Sequence, residues 1–438
     1  MLSHASVLVQ QDTLALCTDP WLLGDAFNES WALLARPAIT PHHLSNLSHI
    51  WISHEHPDHL HFPTLNAIPE EQRAGVTLLY QEHFSSRMRR ALDNLGFQSV
   101  VELPLLRWTS LNIDTSVFCC SSGTIDSLLA IRSKGVTVLN LNDCALSPGV
   151  ARSIGKRIGP VDVLLTQFSI SSWVGNSHET DAPAKHNVIA RMRTYVNAFH
   201  PNVLIPFASF VYFSHVENRY INKWINTPGY VCEQLQDLPC RVQFLYNGDS
   251  WSSHQGFNLA GDPLVRHHND FGAIADRPFT SHPSYPLDEI ITLGERLIKN
   301  VCGAFPTIIL KMTDPIYFYL VDLDIAVVVD IYQGLVRAAQ RPKEDCDIAL
   351  GSQTLWYAFK FPWGFSTLEV SGRFELVNTK LNDRALYLCH LYCSDITFKR
   401  FWHRLGQRRV WNFLWTKRYE LADRFLRKKH RVQHPTDA

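Results

Sequence analysis

The chain has 438 residues, 46% of them hydrophobic and 19% charged, with 41 Lys+Arg matched by 41 Asp+Glu. That length allows two or three domains, and that composition excludes a disordered chain. The zero net charge is unevenly spread: from Thr397 onward there are 12 Lys+Arg against 3 Asp+Glu, so the remaining chain is acidic at 29 against 38.

Short β-like runs rich in Val, Ile, Leu, Phe and Thr fall at 13–17, 49–53, 76–80, 115–120, 127–133, 136–142, 162–168, 203–207 and 242–246. Helical patterns fall between them at 83–95, 148–158, 184–199 and 215–225. A junction rich in Gly, Pro, His and Asp follows at 256–286. Beyond it the pattern predicts a helix at 287–300, strands at 307–311, 315–321 and 324–329, a helix at 331–339, a segment at 352–361 and a strand at 366–375. The expected organisation is one domain over 1–260, a smaller accessory α+β domain over 285–395 and a basic helical tail over 396–438.

In that tail Lys399, Arg400, Arg404, Arg408 and Arg409 interleave with aromatics, and Phe401, Leu405, Val410, Phe413 and Leu414 share one helical face. Such a helix packs on the acidic body of its own chain or lies on an anionic membrane surface, the latter favoured over nucleic acid. The ten cysteines form no visible disulfide framework, which points to a reducing cytoplasm, with peripheral membrane attachment through the tail. Cys389 and Cys393 flank His390 without a second ligand pair and read as buried thiols. The first residues carry neither a charged n-region nor a long apolar run, so no signal peptide is read. The most apolar stretch, 315–332, is interrupted by Asp322, Asp324 and Asp330, which argues against a membrane span.

Chemistry concentrates in His54-Glu55-His56-Pro57-Asp58-His59, directly after the apolar run Ile50-Trp51-Ile52. Imidazole is the commonest metal ligand, and a strand ending in three of them delivers its donors to a sheet edge that substrate can reach. Asp143 ends a second apolar run, Val136-Thr137-Val138-Leu139-Asn140-Leu141-Asn142, and is either a further carboxylate ligand or a helix N-cap.

The HxHxDH pattern resembles the metallo-β-lactamase superfamily. The resemblance implies an αββα sandwich, with His54 and His56 serving one ion, Asp58 and His59 a second, and Asp143 bridging both. Asp58 is also the candidate catalytic carboxylate. The family places a further His near Ser121-Ser122-Gly123, where this chain has Ser122. It places another after a late strand, where Ala208 stands, so His215 is the candidate, with His178 and His186 behind it.

Further words are similar to the metallo-β-lactamase-like domain of the CMP-N-acetylneuraminate hydroxylase family: Asp19-Pro20-Trp21-Leu22 with Gly24, Phe27 and Trp31, and Pro206-Phe207-Ala208 followed by His215, Tyr220 and Ile221. That resemblance implies two metal ions, iron preferred and zinc the alternative, and O2-dependent hydroxylation of a small-molecule substrate. The family's Rieske domain needs paired Cys and His ligands that this sequence does not show, so electrons are expected from a separate donor. With zinc, the same fold implies hydrolysis of a phosphodiester, lactone or amide. A nucleotide-sugar substrate would call for cations such as Lys185, Arg191 and Arg193, which share one predicted helix.

Overall fold

The computed structural model describes residues 1–83, 85–123, 125–180, 183–398 and 410–411. Most of the expected tail helix at 396–438 lies outside the described residues. In chain order the first strands are β1 (Leu8–Gln11), β2 (Leu14–Thr18), β3 (Trp31–Leu33), β4 (His49–Ile52), β5 (Thr77–Gln81), β6 (Ser99–Leu103), β7 (Trp108–Ser110), β8 (Thr115–Ser122), β9 (Asp126–Ser133), β10 (Val136–Asn140), β11 (Val163–Gln167), β12 (Val203–Phe207), β13 (Val211–Phe213) and β14 (Arg241–Val242).

One sheet runs β1-β2-β4-β5-β6 and is parallel except for the β1–β2 hairpin. The second runs β14-β12-β11-β10-β9-β8-β7, parallel from β14 to β10 and antiparallel from β10 to β7. The two-residue period of a strand sends alternate side chains to opposite faces. Ile50 and Ile52 of β4, with Leu78 and Tyr80 of β5, pack under Leu65, Leu92 and Leu95 from helical segments on the outside. Trp51 and Leu79 point the other way, onto Val117 and Cys119 of β8 and Leu129 and Ile131 of β9. The opposite face of that second sheet, through Phe118, Leu128, Ala130 and Leu139, meets Ile154 and Ile158 of helix Pro148–Ile158 and Met192 and Tyr195 of helix Pro183–Phe199. The order is therefore helix, sheet, sheet, helix, the expected αββα sandwich. Trp51 is fully buried between the sheets; burial of a side chain that large contributes about 4–6 kcal/mol as an upper bound.

A second core is built from 290 to 393. Its five-stranded sheet runs in the order Leu335–Ala339, Ile325–Asp330, Ile316–Leu320, Ile348–Leu350 and Glu375–Leu376, and it packs on helices Leu287–Ala304, Ser352–Lys360 and Arg384–Cys393. Three local expectations fail here. The strand expected at 307–311 is the short helix Thr307–Leu310, started by Pro306 as N-cap. The helix expected at 331–339 is instead a turn with Gly334 at φ +69° followed by strand Leu335–Ala339, because hairpin pairing with Ile325–Asp330 buries Val336. The strand expected at 366–375 is helix Gly364–Ser371, closed by Gly372 in the left-handed conformation at φ +65°. The junction at 256–286 also contains a helix, Pro263–Gly272, capped by Asp262.

The second core seats on the end of the sandwich where β4 and β10 finish. Arg373, with its side chain 1% exposed, donates to Glu217 Oε2 at 2.6 Å. Asn218 Nδ2 donates to Ser371 O at 2.7 Å, and Asn176 exchanges two bonds with the backbone of Leu376. Asn28 and Gln353 pair their side-chain amides at 3.0 Å. No helix among the described residues is long and apolar enough to cross a membrane. None of the ten cysteines is in a disulfide, and Cys389 and Cys393 are buried.

Candidate metal centre

Strand β4 ends at Ile52, and Leu60 N bonds back to His56 O at 2.7 Å, closing a turn that gathers the intervening side chains. The rings of His54 and His59 lie 4.2 Å apart, and those of His54 and His56 lie 4.7 Å apart, centroid to centroid. His54 Nε2 and His56 Nδ1 approach to 3.0 Å. His59 Nε2 lies 3.2 Å from Asp58 Oδ2 and 3.4 Å from Asp143 Oδ2. Four of the anticipated positions from the motif, with Asp143, are thus brought to one place. Asp143 is not the cap of the helix that follows; Ser147 is, accepting from Val150 N.

Two further residues complete the cluster. His4 Nε2 sits 3.3 Å from Asp58 Oδ2, both side chains buried. It arrives because the N-terminal segment folds back on the sandwich, Ala208 N bonding His4 O at 2.9 Å and Ser6 Oγ bonding Asp19 O at 2.7 Å. Asp126 Oδ1 sits 3.9 Å from His54 Nε2. It arrives because its neighbour Ser127 donates from Oγ to Ser53 O at 2.6 Å, pinning the start of β9 to the end of β4. Asp126 is the register partner of Ser122 across the β8–β9 hairpin. A carboxylate on the facing strand thus stands where the missing imidazole at Ser122 left a gap. Neither residue carried a local sequence signal beyond being a His or an Asp near the right strand end.

Three groups of donor atoms converge closely enough to hold an ion: His54, His56 and Asp126; His4, Asp58 and His59; and His54, His59 and Asp143. The third group shares one residue with each of the other two, which is the arrangement of two adjacent sites joined by one carboxylate. The donors fit metal ions on a second count. Asp58 Oδ1 and Asp143 Oδ1 are buried without a hydrogen-bond partner among the described residues. Buried polar atoms left unpaired are costly, and a cation supplies what they need. Four imidazoles and three carboxylates would leave two divalent ions with one net positive charge.

The electrostatics agree. Burial, with the neighbouring His59 and His56, holds His54 well below the ordinary imidazole range. Burial pushes His56 down to about 4. Both rings therefore keep lone pairs free for a ligand role. Burial alone would lower His59 too, but Asp58, Asp143 and Asp19 raise it well above its ordinary value. Burial works to raise Asp58, and the imidazoles of His59 and His4 hold it well below.

A support layer orients these donors. Asp19 Oδ2 pairs with His59 Nδ1 at 2.9 Å, which turns Nε2 toward Asp58 and Asp143. Asp19 itself accepts from Ser53 N, Ser53 Oγ and Asn142 Nδ2, each at 2.8 Å. Asp19 and Asn142 both hold left-handed backbone, at φ +40° and +45°; such strain persists only where the surroundings over-determine it. Trp21 packs edge-on against His4 and Phe27 against His56, shielding the cluster from water. From the second core, Ser366 Oγ reaches His56 Nε2 at 3.0 Å.

His215 does not join. Its ring stacks on His282 at 5.1 Å and its Nδ1 faces Glu217 at 3.5 Å, so it belongs to the polar seam between the two cores. His186 meets Tyr230 at 3.2 Å and His178 is exposed; neither is in a donor group. Of the expected cations, Arg193 pairs with Asp237, Arg191 with Gln167, and Lys185 lies over the Tyr230 ring.

Sequence comparison finds relatives along part of the chain. A hydroxylase from Asterias rubens, described as cytidine monophosphate-N-acetylneuraminic acid hydroxylase, is 27% identical over 237 residues, covering 50% of this chain and 35% of that protein. The Sus scrofa protein of the same description is 27% identical over 300 residues, covering 63% of this chain and 65% of that one. The chain is similar to these hydroxylases along part of their length, between 35% and 65% of these two. A solved structure of CmlA, a diiron β-hydroxylase from Streptomyces venezuelae, matches 56% of this chain and 52% of that one at 20% identity and a TM-score of 0.41. No protein-family model matches the chain.

Proposed function

We propose that the protein is a dinuclear-metal oxygenase that hydroxylates a small molecule with O2, with iron as its native metal. The observation that carries this reading is the pair of donor trios linked through Asp143. His54, His56 and Asp126 would hold one ion and Asp58, His59 and His4 the other, with Asp143 close to His59 as a further carboxylate donor. The donors are imidazole nitrogen and carboxylate oxygen with no thiolate, a set that suits iron; the neighbouring thiol of Cys144 is held protonated by burial. The relatives named as hydroxylases support oxygen chemistry over other uses of the fold.

The bound ions would supply O2 activation. The chain's own residues do the rest. Asp19 fixes the ring of His59, Ser53 and Asn142 fix Asp19, and Trp21 and Phe27 keep water from the donors. Asp58, which His59 and His4 hold well below the ordinary carboxylate range, would act as an ionised ligand carboxylate. In the overall reaction one oxygen atom enters a C–H bond and the other leaves as water. The two electrons and two protons required come from a separate reductant.

Zinc-dependent hydrolysis of a phosphodiester, lactone or amide is the second reading, because the same imidazole and carboxylate donors also suit zinc. Metal analysis of protein purified without added metals separates the two. About two irons per chain with substrate-dependent O2 consumption is the expected result. Iron-free, zinc-loaded protein that hydrolyses its substrate would overturn it.

A further inference from the structure

Segment Arg219–Trp224, helix Pro228–Gln234 and helix Pro263–Gly272 wall a groove of about 1080 Å3. Small-molecule sites commonly occupy about 300–1,000 Å3, so this one has room for an extended body as well as a small ion. Its floor is apolar, made by Ile225, Tyr230, Leu264, Phe271, Ile274 and Phe279. Phe271 and Ile274 belong to the main core of the sandwich, so the floor is part of a packed interior. None of the donors of the metal centre lines the groove.

The ionisable groups on its walls have one sign. Lys185, Arg219, Lys223 and His268 line the groove, and the described lining residues include no Asp or Glu. Two of the cations stand on rings of the groove itself. Lys185 Nζ lies 4.5 Å from the ring centroid of Tyr230, and the Arg219 guanidinium lies 5.8 Å from that of Phe279. A ring face steadies a cation without neutralising it, and neither of these two pairs with a carboxylate among the described residues. Lys223 differs, because its ammonium already donates to the backbone carbonyls of Ser177 and Glu179 at 2.9 and 2.8 Å. Cations without acids above an apolar floor complement a ligand with an anionic head and an apolar body. A cationic chain would meet like charge, a small inorganic anion would leave the floor unused, and a neutral chain would leave the cations unused.

We propose that this groove is a second ligand site, separate from the metal centre, for a single-chain amphipathic anion: an alkyl chain with a carboxylate or phosphate-ester head. The head pairs with Lys185 or Arg219 at the rim. The chain lies along Leu264, Phe271 and Ile274, where each methylene removed from water tightens binding up to about fourfold. The inference goes beyond the metal-centre reading and does not rest on it, because the groove and the donor trios share no residue.

The test uses the full chain and the fluorescent probe dansylaminoundecanoate, whose emission rises in an apolar site, with competitors kept below their micelle concentrations. Decanoate and decyl phosphate should displace the probe, and the tighter of the two identifies the head group. Decyltrimethylammonium and inorganic phosphate should each compete about tenfold or more weakly. Octanoate, two methylenes shorter, should fall below decanoate by up to about fifteenfold. Val265→Glu places an acid in the wall at a position 55% exposed, where the core is undisturbed. It should weaken the probe about tenfold. Lys185→Gln with Arg219→Gln should bring decanoate down to the level of decanol. Equal binding of the cationic chain, displacement by inorganic phosphate as strong as by decanoate, no dependence on chain length, or an unchanged probe affinity in both variants overturns the proposal. Capture of the protein by anionic lipid vesicles, with no displacement of the probe by decanoate, makes the surface a membrane face and overturns it as well. The readout needs no bound metal and no turnover, so its failure leaves the metal centre untouched, and a metal-free protein leaves the groove untouched.

Discussion

The two donor trios are built differently. His4, Asp58 and His59 are almost wholly enclosed, with side-chain exposures of 1%, 2% and 0%, and Asp19 clamps the imidazole at their centre. His54, His56 and Asp126 are looser: the Asp126 side chain is 26% exposed, and His56 is steadied by Ser366, which comes from a different core. The enclosed trio is organised by one unit of the fold before any ion arrives. The open trio is completed by two units, and its Asp126 is partly exposed. The difference predicts a tightly held ion in the first and an exchangeable ion in the second.

Removing the shared centre should break the comparison outright. His59→Ala takes a donor from the enclosed trio and from the group joined by Asp143, so metal content should fall from about two ions per chain to below about one, with activity lost. Elemental analysis and O2 uptake read both effects. Asp19→Asn should follow in size. An amide against three donors loses its bonds and releases the His59 ring, weakening metal affinity by about 10–100-fold. Competition with a chelator of known affinity measures this, and an unchanged affinity would show that Asp19 supports the fold alone. Asp126→Asn should sharpen the comparison: about one ion per chain remains, held by the enclosed trio, while the open site empties. Retention of both ions would mean that Asp126 is no ligand. Ser366→Ala should act least, leaving stoichiometry intact and speeding exchange at the open site by a few-fold, about 1 kcal/mol for one hydrogen bond. Ion-release kinetics with a colorimetric chelator would detect it.

Legibility in the sequence followed how local each feature is. The motif at His54–His59 was readable because a strand end and one turn suffice to gather it. The sandwich was expected from the HxHxDH resemblance and not from periodicity, since β4, β5, β8 and β9 are buried on both faces and show no polar alternation that would set the layers. His4 and Asp126 were not, since they enter through chain closure: the first by a fold-back of the N-terminal segment, the second through a hydrogen bond from Ser127 to Ser53. The gap at Ser122 was visible, but its filling from across a hairpin was not. His215 misled because a lone His after a strand carries no information about its partners, and here the partner is His282. In the second core, helix and strand were exchanged at 331–339 and 366–375, where Gly334 and Gly372 at positive φ decide the outcome and the apolar period does not.

The bond from Ser366 to His56 has a thermodynamic consequence. Because one ligand of the open trio is held by the second core, ion occupancy and the seating of that core are linked equilibria. Whatever factor by which a seated core tightens the ion, the ion must tighten the seat by the same factor.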